Sequence, residues 1–247
     1  MVFNWSKLES LPIRCADQVI KPDGMPVKTK QSMLYLGSLL SADGRIGSEF
    51  GRRLGLAQAD FRILQKVLAH ASISTGLKLL IYHACIVSTL TYGLHTAWLI
   101  TAERRRLDGF HARCIRKIIG VLPSYYSRIS NRAILERARA TPLSSILMRR
   151  QLQFLAHIAY RTHGDALRDA VFRPGTLHPR GFEGARARGR PRQTWTSGVL
   201  REALEAAGGS QEHLSFLLQD TPGCRRAWKN AISKHRNKAA EGSKQRM

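Results

Sequence analysis

The sequence predicts a mainly α-helical protein in which short N-terminal β-strands precede a helical bundle and a small C-terminal helical segment. Apolar residues recur every three or four positions over long stretches, which is the spacing of one helix face. Ser or Thr precedes several of these stretches, as expected for helix N-caps. Before residue 41 the apolar runs are short and flank turn sequences, which indicates strands.

The first forty residues are predicted to form β-structure. Two short strands, 18–21 and 25–28, flank Pro22-Asp23-Gly24, a turn signature. A third apolar run, 33–41, is interrupted by Gly37. Glycine inside a strand pattern predicts a bulge or a close approach of another backbone segment.

A long helix is predicted next. Its apolar stripe comprises Ile46, Phe50, Leu54, Ala57, Phe61, Leu64 and Leu68. On a neighbouring face, Gly47, Gly51, Gly55 and Ala59 recur every four residues. Each glycine costs a helix about 1 kcal/mol relative to alanine, so the glycines need a reason. Close packing against another helix and close approach to a nucleic-acid backbone are both open explanations.

Further helices follow along the chain. Ser74 is predicted to cap a helix that extends towards Leu90, and Thr101 to cap a helix that ends near Val121. Other helices are predicted over 131–138, 142–161, 194–207, 210–219 and 222–235. The chain is thereby divided into a β segment (1–40), a helical domain (41–172), an Arg/Gly/Pro-rich linker (173–193), C-terminal helices (194–236) and a frayed tail (237–247).

The charge is the unusual feature of the composition. Forty Lys and Arg residues stand against 17 Asp and Glu, and the formal net charge of +23 is spread along the whole chain. Self-repulsion of this size destabilises a compact protein, so a polyanionic partner is expected. RNA, DNA or an RNA–DNA hybrid fits, because release of condensed counterions drives association. A membrane surface is not expected, since neither a basic amphipathic helix nor a lipidation motif stands out.

Targeting and redox features predict an intracellular protein, nuclear or cytoplasmic. No stretch of about 18 apolar residues is present, and charged residues interrupt any signal-peptide layout near the N-terminus. The four cysteines, Cys15, Cys85, Cys114 and Cys224, are far apart and form no Cys-x-x-Cys pair. We interpret them as buried free thiols in a reducing compartment.

No complete catalytic centre is recognisable in the sequence. It has no Walker-type phosphate loop and no Gly-x-Ser-x-Gly. Two-metal phosphoryl transfer requires clustered carboxylates, but neither Asp-Asp nor Asp-x-Asp occurs. His111 and Cys114 have the spacing of two zinc ligands on a helix, yet no second pair completes a site, so core packing is favoured. We predict no metal and no cofactor bound by this chain.

Arginines and aromatic residues give the strongest indication of function. Four arginines alternate along one segment: Arg186, Arg188, Arg190 and Arg192. An extended backbone presents them to successive phosphates, whose oxygens suit the guanidinium fork. Tyr125 and Tyr126 lie close to Arg128, and Trp195 follows the arginines. Aromatic rings can stack on bases, so the pattern favours nucleic-acid binding over a merely solvated charged surface.

Several segments together resemble a known family. In order they are Tyr35-Leu36-Gly37-Ser38, Ser41-x-Asp43-Gly44, Arg52-Arg53-Leu54-Gly55-Leu56-Ala57, Lys78-Leu79-x-Ile81-Tyr82, Leu90-Thr91-Tyr92-Gly93, Arg105-Arg106-Leu107-Asp108-x-Phe110, Arg113-Cys114-Ile115-Arg116-Lys117-Ile118-Ile119-Gly120, Ser130-Asn131, Arg188-Gly189-Arg190-Pro191-Arg192-x-Thr194-Trp195 and Arg225-x-x-Trp228. Each is short, but their order and spacing over nearly the whole chain resemble the C-terminal part of a reverse transcriptase of the non-LTR (LINE-type) retrotransposons.

The resemblance implies the end of a polymerase palm, followed by a helical thumb that holds the primer–template duplex. It implies that Lys7, in Asn4-x-Ser6-Lys7, is a palm lysine near the incoming nucleotide. Tyr35, Leu36 and Gly37 would form a hairpin that grips the primer end. Nucleic-acid contacts, without base specificity, are expected from Arg52, Arg53, Arg105, Arg116, Lys117, Arg128, the four alternating arginines and Trp195.

The sequence departs from the family at the catalytic motif. The Tyr-Ala-Asp-Asp that would hold Mg²⁺ in the parent enzyme is absent, and so is a C-terminal Cys/His zinc knuckle. We therefore expect a fragment that binds nucleic acid but does not polymerise DNA alone, its further partner being the missing polymerase half. Two alternatives stay open: a domesticated RNA- or DNA-binding protein without a polymerase role, and a helical interaction module that binds no nucleic acid.

Overall fold

A computed structural model describes residues 4–15, 17–70, 72–180 and 193–242. It confirms the predicted fold class, since the chain is mainly helical and two small sheets precede the helices. The chain divides into two compact units: unit 1 is Met1–Gly93 with Leu99–Ile129, and unit 2 is Leu94–Trp98 with Ser130–Met247. The strands thus share a unit with the first helices. The second half of the predicted helical domain groups with the C-terminal helices.

Four short strands form the two sheets of unit 1. They are β1 (Glu9–Ser10), β2 (Lys28–Thr29), β3 (Ser32–Tyr35) and β4 (Ser38–Ser41). β1 pairs in parallel with β2, and β3 pairs antiparallel with β4. The predicted Pro22-Asp23-Gly24 turn is present, because the Gly24 N–H donates to the Lys21 carbonyl at 3.0 Å and Ile20 bridges Pro26.

The apolar run 33–41 is a hairpin rather than one strand with a bulge. Leu36 and Gly37 both have positive φ, +46° and +79°, and they reverse the chain between β3 and β4. Positive φ at both residues of a two-residue loop is the pattern of a type I′ turn. Gly37 accepts this geometry readily, whereas Leu36 pays about 1–2 kcal/mol for it.

Helices make up the rest of unit 1. They are α1 (Gly47–His70), α2 (Thr75–Tyr82), a π-helical turn (His83–Val87), α3 (Ser88–Thr91), α4 (Thr101–Ile118) and α5 (Ser124–Ser127). The predicted stripe of α1 faces the interior, where Phe50, Phe61 and Leu68 are buried. Ser74 caps α2 as predicted, because its Oγ accepts the Leu77 N–H at 3.3 Å. Thr101 is instead the first residue of α4.

The core of unit 1 explains the His111–Cys114 pair without zinc. Both residues are buried on the inner face of α4, and the Tyr82 hydroxyl lies 2.9 Å from His111 Nδ1. Burial raises the pKa of the Cys114 thiol to about 12, which keeps it protonated and unreactive. The predicted burial of all four thiols is corrected, because Cys15 and Cys85 are exposed while Cys114 and Cys224 are buried.

The described part of unit 2 consists of helices and their connections, with one isolated β-bridge between Phe172 and Pro179. Its elements are a 3₁₀ turn (Leu94–Thr96), α6 (Asn131–Arg137), α7 (Leu143–Ala159), α8 (Ala166–Val171), α9 (Trp195–Ala206), α10 (Gln211–Leu217) and α11 (Pro222–Gly242). Its core gathers Leu155, Val199, Leu214 and Trp228 from α7, α9, α10 and α11. The buried Trp228 Nε1 donates to the Leu152 carbonyl at 3.3 Å, so its polar atom is satisfied inside an apolar core.

Two other predictions are refined by the structure. The tail predicted to be frayed from residue 237 is helical as far as Gly242. The start of the predicted linker is folded, because Phe172 bridges Pro179 and the Arg180 N–H donates to the Val171 carbonyl at 2.9 Å. No helix in the described ranges is both long and apolar enough to cross a bilayer.

Helix packing does not explain the glycine stripe of α1. A Cβ built on Gly51 or Gly55 would meet no described atom within 4 Å. A Cβ on Gly47 would lie 3.6 Å from Glu103 Oε1, an ordinary contact distance. Gly51 and Gly55 therefore lie on a face of α1 that no described residue covers. Close packing against another helix, one of the two predicted explanations, does not account for these two glycines.

Candidate nucleic-acid interface

The tip of the β3–β4 hairpin is held against α1 by one buried carboxylate and two arginines. Glu49 is buried near the start of α1 and accepts the Leu39 N–H at 3.0 Å. It also accepts Arg52 Nε and Arg53 Nε, each at 2.7 Å. Both guanidinium groups then donate to the Gly37 carbonyl, Arg52 Nη2 at 2.8 Å and Arg53 Nη2 at 2.5 Å.

Residues after α3 complete this arrangement. The Tyr92 hydroxyl donates to the Leu36 carbonyl at 3.0 Å, and the Arg53 guanidinium carbon lies 4.6 Å from the centroid of the Tyr92 ring. Gly93 has φ +71°, and a Cβ there would lie 2.8 Å from Ser38 Oγ. We call Glu49, Arg52, Arg53 and Tyr92 the hairpin clamp, because the two arginines and Tyr92 donate to the carbonyls of the turn and Glu49 accepts from both arginines.

The electrostatics of the clamp favour its charged form. Burial by itself raises the pKa of Glu49, but hydrogen bonds from Arg52, Arg53 and the Leu39 N–H outweigh burial, and the pKa lies below its ordinary value. The hydrogen bond to Glu49 raises the pKa of Arg52, more than burial lowers it. Glu49 and Arg52 are therefore charged at neutral pH. Charge-assisted hydrogen bonds from the arginines stabilise the strained Leu36-Gly37 turn.

The clamp leaves the hairpin tip on the surface. The side chains of Tyr35 and Leu36 are exposed. The backbone carbonyls of Leu36 and Gly37, in contrast, accept hydrogen bonds from Tyr92 and Arg53. Lys7, the predicted palm lysine, is also exposed. The hairpin expected from the resemblance for Tyr35, Leu36 and Gly37 is therefore present as a structural element, and its primer-gripping role stays a prediction.

Two of the predicted phosphate contacts are corrected. Arg53 and Arg116 are only 6% and 3% exposed, so neither guanidinium is available to a phosphate. Arg53 belongs to the hairpin clamp. Arg116 donates to the Leu122 carbonyl at 3.4 Å, to Ser127 Oγ at 3.3 Å and to the Ile129 carbonyl. Both arginines hold backbone in place rather than face a ligand.

The other predicted cations differ in their surroundings. Arg52 is partly exposed but engaged in the clamp. Arg105 and Arg128 are exposed, and so is Lys117, whose Nζ lies 2.9 Å from Gln65 Oε1. Arg186, Arg188, Arg190 and Arg192 lie outside the described residues. In the described part of the chain, Arg105, Lys117 and Arg128 are thus the predicted contacts whose side chains face solvent.

Trp195 is partly buried and packs against the core of unit 2 rather than standing free on the surface. Its Nε1 donates to the His95 carbonyl at 2.8 Å, and its ring meets Phe154 edge-on at 5.8 Å between centroids. The residue begins α9, and Thr194 Oγ1 caps that helix by accepting the Ser197 N–H at 3.2 Å. The predicted role of Trp195 in base stacking is therefore corrected to a packing role.

Tyr125 and Tyr126 lie on the surface of unit 1, as base stacking requires. They form the middle of α5, in the segment that follows α4. Their ring centroids are 5.0 Å apart, with the planes nearly perpendicular. Arg128 comes directly after α5 in a left-handed conformation, φ +56°. Sequence spacing indicated these three residues, and the structure adds that all three side chains are exposed.

No family model matches the sequence, no curated protein matches it, and no solved structure matches the fold. The resemblance to reverse transcriptases therefore stays a prediction that rests on its own segments. The structure adds which of those segments meet in space.

A group in unit 2 could hold a metal ion, and sequence analysis missed it. The ligand atoms of Glu202, Glu205 and His235 all lie within 4.8 Å of one another. The two glutamates are three apart on α9, a signal visible in the sequence, but only folding brings His235 from α11 beside them. His235 Nε2 lies 3.4 Å from Glu202 Oε2, a distance at which a hydrogen bond joins the two side chains without a metal. The prediction that no metal is bound stays a prediction.

Unit 2 also contains a cleft of about 560 Å³ between α7 and α11. Trp228 contributes to its lining, and basic side chains surround it. Two of these already have acidic partners: Arg161 lies 2.8 Å from Asp165, and Arg225 pairs with Asp220. Because part of its positive charge is neutralised, the cleft is a weaker candidate for phosphate than the exposed cations of unit 1.

Proposed function

We propose that this chain is the nucleic-acid-holding C-terminal part of an RNA-directed DNA polymerase of the non-LTR retrotransposon type. Its role is to hold a primer–template duplex through phosphate contacts without reading base sequence. The observation that carries the proposal is the hairpin clamp. At the clamp, residues of three segments of the resemblance meet, 35–38, 52–57 and 90–93, while Glu49 lies outside those segments.

The clamp supports the proposal because it gives a structural role to particular residues in each of those segments. Leu36-Gly37 supplies the turn, Arg52-Arg53 supplies its donors, and Tyr92-Gly93 supplies a hydroxyl and a close-packed glycine. A fortuitous likeness of short segments gives no reason for them to meet. A hairpin tip held rigidly, with exposed side chains, suits a role in positioning the end of a bound strand.

The proposed phosphate contacts are the exposed cations Arg105, Lys117 and Arg128. Arg105 and Lys117 lie on α4, and Arg128 follows α5. No carboxylate occurs in the sequence between Asp108 and Glu136, so nothing acidic in the segment that contains Lys117 and Arg128 repels a phosphate backbone. Arg105 lies outside this segment, between Glu103 and Asp108. Binding of this kind releases counterions and therefore weakens as salt rises.

The proposal assigns no catalytic step to this chain. Two-metal phosphoryl transfer needs carboxylates that hold both ions, and neither Asp-Asp nor Asp-x-Asp occurs in the sequence. Purified chain is therefore expected to leave a primed RNA template unextended when Mg²⁺ and nucleotides are supplied. Extension by the purified chain would contradict this part of the proposal.

A filter-binding titration tests the phosphate contacts. The affinity for an RNA–DNA hybrid is measured from 50 to 300 mM salt, and each contact is expected to add roughly 0.9 to the magnitude of the negative slope of log affinity against log salt. The triple variant Arg105→Gln, Lys117→Gln, Arg128→Gln should lower the magnitude of this slope by roughly 2.7. A flat salt dependence in the wild-type chain would overturn the proposal.

A matched triple variant removes the same charge elsewhere. Arg149, Arg226 and Lys229 are exposed residues of unit 2, and their change to Gln is expected to lower the slope by less than roughly one contact's share, 0.9. Equal slopes for the two triple variants would mean that net charge alone drives binding, and the proposed contact residues would then be wrong.

A further inference from the structure

The segment between α4 and α6 displays an aromatic pair that phosphate binding does not use. Tyr125 is 74% exposed and Tyr126 is 70% exposed, and the nearby Leu122 is exposed as well. Clusters of large exposed apolar side chains are unfavourable in water, and they often mark sites of contact. We call residues 122–128 the aromatic loop.

The aromatic loop is fixed from inside by a buried cation. The Arg116 guanidinium donates to the Leu122 carbonyl, to Ser127 Oγ and to the Ile129 carbonyl, and so binds both ends of the loop. Desolvating a guanidinium is costly, and here its hydrogen bonds go to the loop backbone. The two rings are therefore presented by a preorganised loop, which reduces the entropy lost on binding a ligand.

The surroundings of the loop select the chemistry of the ligand. The exposed cations nearest in sequence are Arg113, Lys117 and Arg128. No carboxylate occurs between Asp108 and Glu136. This absence of negative charge around the loop favours an anionic ligand over a basic or zwitterionic surface. A ligand that offers both phosphate charge and flat aromatic faces is a nucleic acid with unpaired bases, because a duplex buries its base faces in the stack.

We propose that an unpaired base of single-stranded nucleic acid stacks on one of the two nearly perpendicular rings of Tyr125 and Tyr126, with Arg128 against the adjoining phosphate. This inference rests on the proposed function and deepens it. The exposed cations hold phosphates of either a duplex or a single strand. The aromatic loop adds a preference for nucleotides that are not base-paired.

Abasic oligonucleotides separate stacking from phosphate contact. The full chain is titrated with a dT 12-mer and with a 12-mer of the same charge in which every base is missing. The wild-type chain is expected to bind the dT 12-mer about 5- to 150-fold more tightly, the range for one aromatic stacking interaction. Tyr125→Ala with Tyr126→Ala should reduce this ratio at least about five-fold and leave abasic binding unchanged.

Two further measurements test whether the effect comes from the aromatic rings and whether the variants fold. Tyr125→Phe with Tyr126→Phe should keep the ratio, because the rings remain, and far-UV circular dichroism should confirm that both double variants fold. Equal wild-type affinity for the two 12-mers overturns the inference, and so does an alanine variant that weakens both alike or changes neither. If no oligonucleotide binds at 50 mM salt, the proposed function itself fails, which is a different outcome from binding without base preference.

Discussion

Glu49→Gln tests whether one buried carboxylate organises the hairpin clamp. The Glu49 side chain is 3% exposed and accepts hydrogen bonds from the Leu39 N–H and from two arginines. Glutamine keeps the size and one acceptor oxygen, but it replaces the other oxygen by an NH₂ group that faces guanidinium donors. The buried Arg53 is then left with an uncompensated charge.

The expected magnitude follows from burial. Removing one partner of a buried ion pair costs about 3–5 kcal/mol, whereas an exposed pair contributes about 0–1 kcal/mol. Glu136→Gln is the matched control, because Glu136 is 60% exposed and pairs with Arg132 at 3.0 Å with the same four-residue spacing. We expect the free energy of unfolding to fall by at least about 3 kcal/mol for Glu49→Gln and by less than about 1 kcal/mol for Glu136→Gln.

Urea titrations of the full chain, followed by circular dichroism at 222 nm and pH 7, measure the free energy of unfolding of wild type and of both variants. The pKa of Glu49 is lowered in the folded chain, so its contribution is present above the unfolded pKa, about 4.3, and is lost as the pH falls through the folded value. The difference between wild type and Glu49→Gln should therefore shrink in acid. Equal losses in the two variants at pH 7, or a difference that grows in acid, would refute the role given to Glu49.

Three glycine-to-alanine variants carry predictions of opposite sign, all measured by the same urea titration. Gly93→Ala should cost more than about 1 kcal/mol, because its Cβ would lie 2.8 Å from Ser38 Oγ at a φ of +71°. Gly198→Ala should cost about 1–3 kcal/mol, because its Cβ would lie 2.5 Å from the Trp98 ring. Gly51→Ala should instead gain about 0.5–1 kcal/mol, and a loss there would mean that its face of α1 is covered. If Gly51→Ala gains stability but weakens hybrid binding, close approach of a nucleic-acid backbone explains that glycine.

The helices were predictable because their signals are local. The stripe of α1 follows from spacing alone, and Phe50, Phe61 and Leu68 are indeed buried. Ser74 and Thr194 cap their helices through hydrogen bonds that span only three residues. The β3–β4 hairpin was harder to predict, because Leu36 is a poor residue for positive φ. Its turn is stabilised by α1 and by Tyr92, which are distant in sequence.

In the candidate site, too, contacts between residues distant in sequence could not be predicted. The predicted nucleic-acid contacts of Tyr125, Tyr126 and Arg128 stay a prediction, but these residues have the exposure that such contacts require. Arg53 and Trp195 do not, because their partners come from other elements: Gly37 and Thr89 for the arginine, and His95 for the tryptophan. A sequence pattern gives the residue type, but it does not give the groups that folding places around it.

The sequence by itself determined the helical class, the apolar faces of the helices and a net charge of +23, because periodicity and charge are sums over local residues. Only the tertiary structure decided which cations face solvent. Burial of a guanidinium is tolerated where a carboxylate or several carbonyls surround it, as happens at Arg53 and Arg116. Those partners are brought together by the packing of distant elements, so the division between buried, structural arginines and solvent-facing arginines appears only in the folded chain.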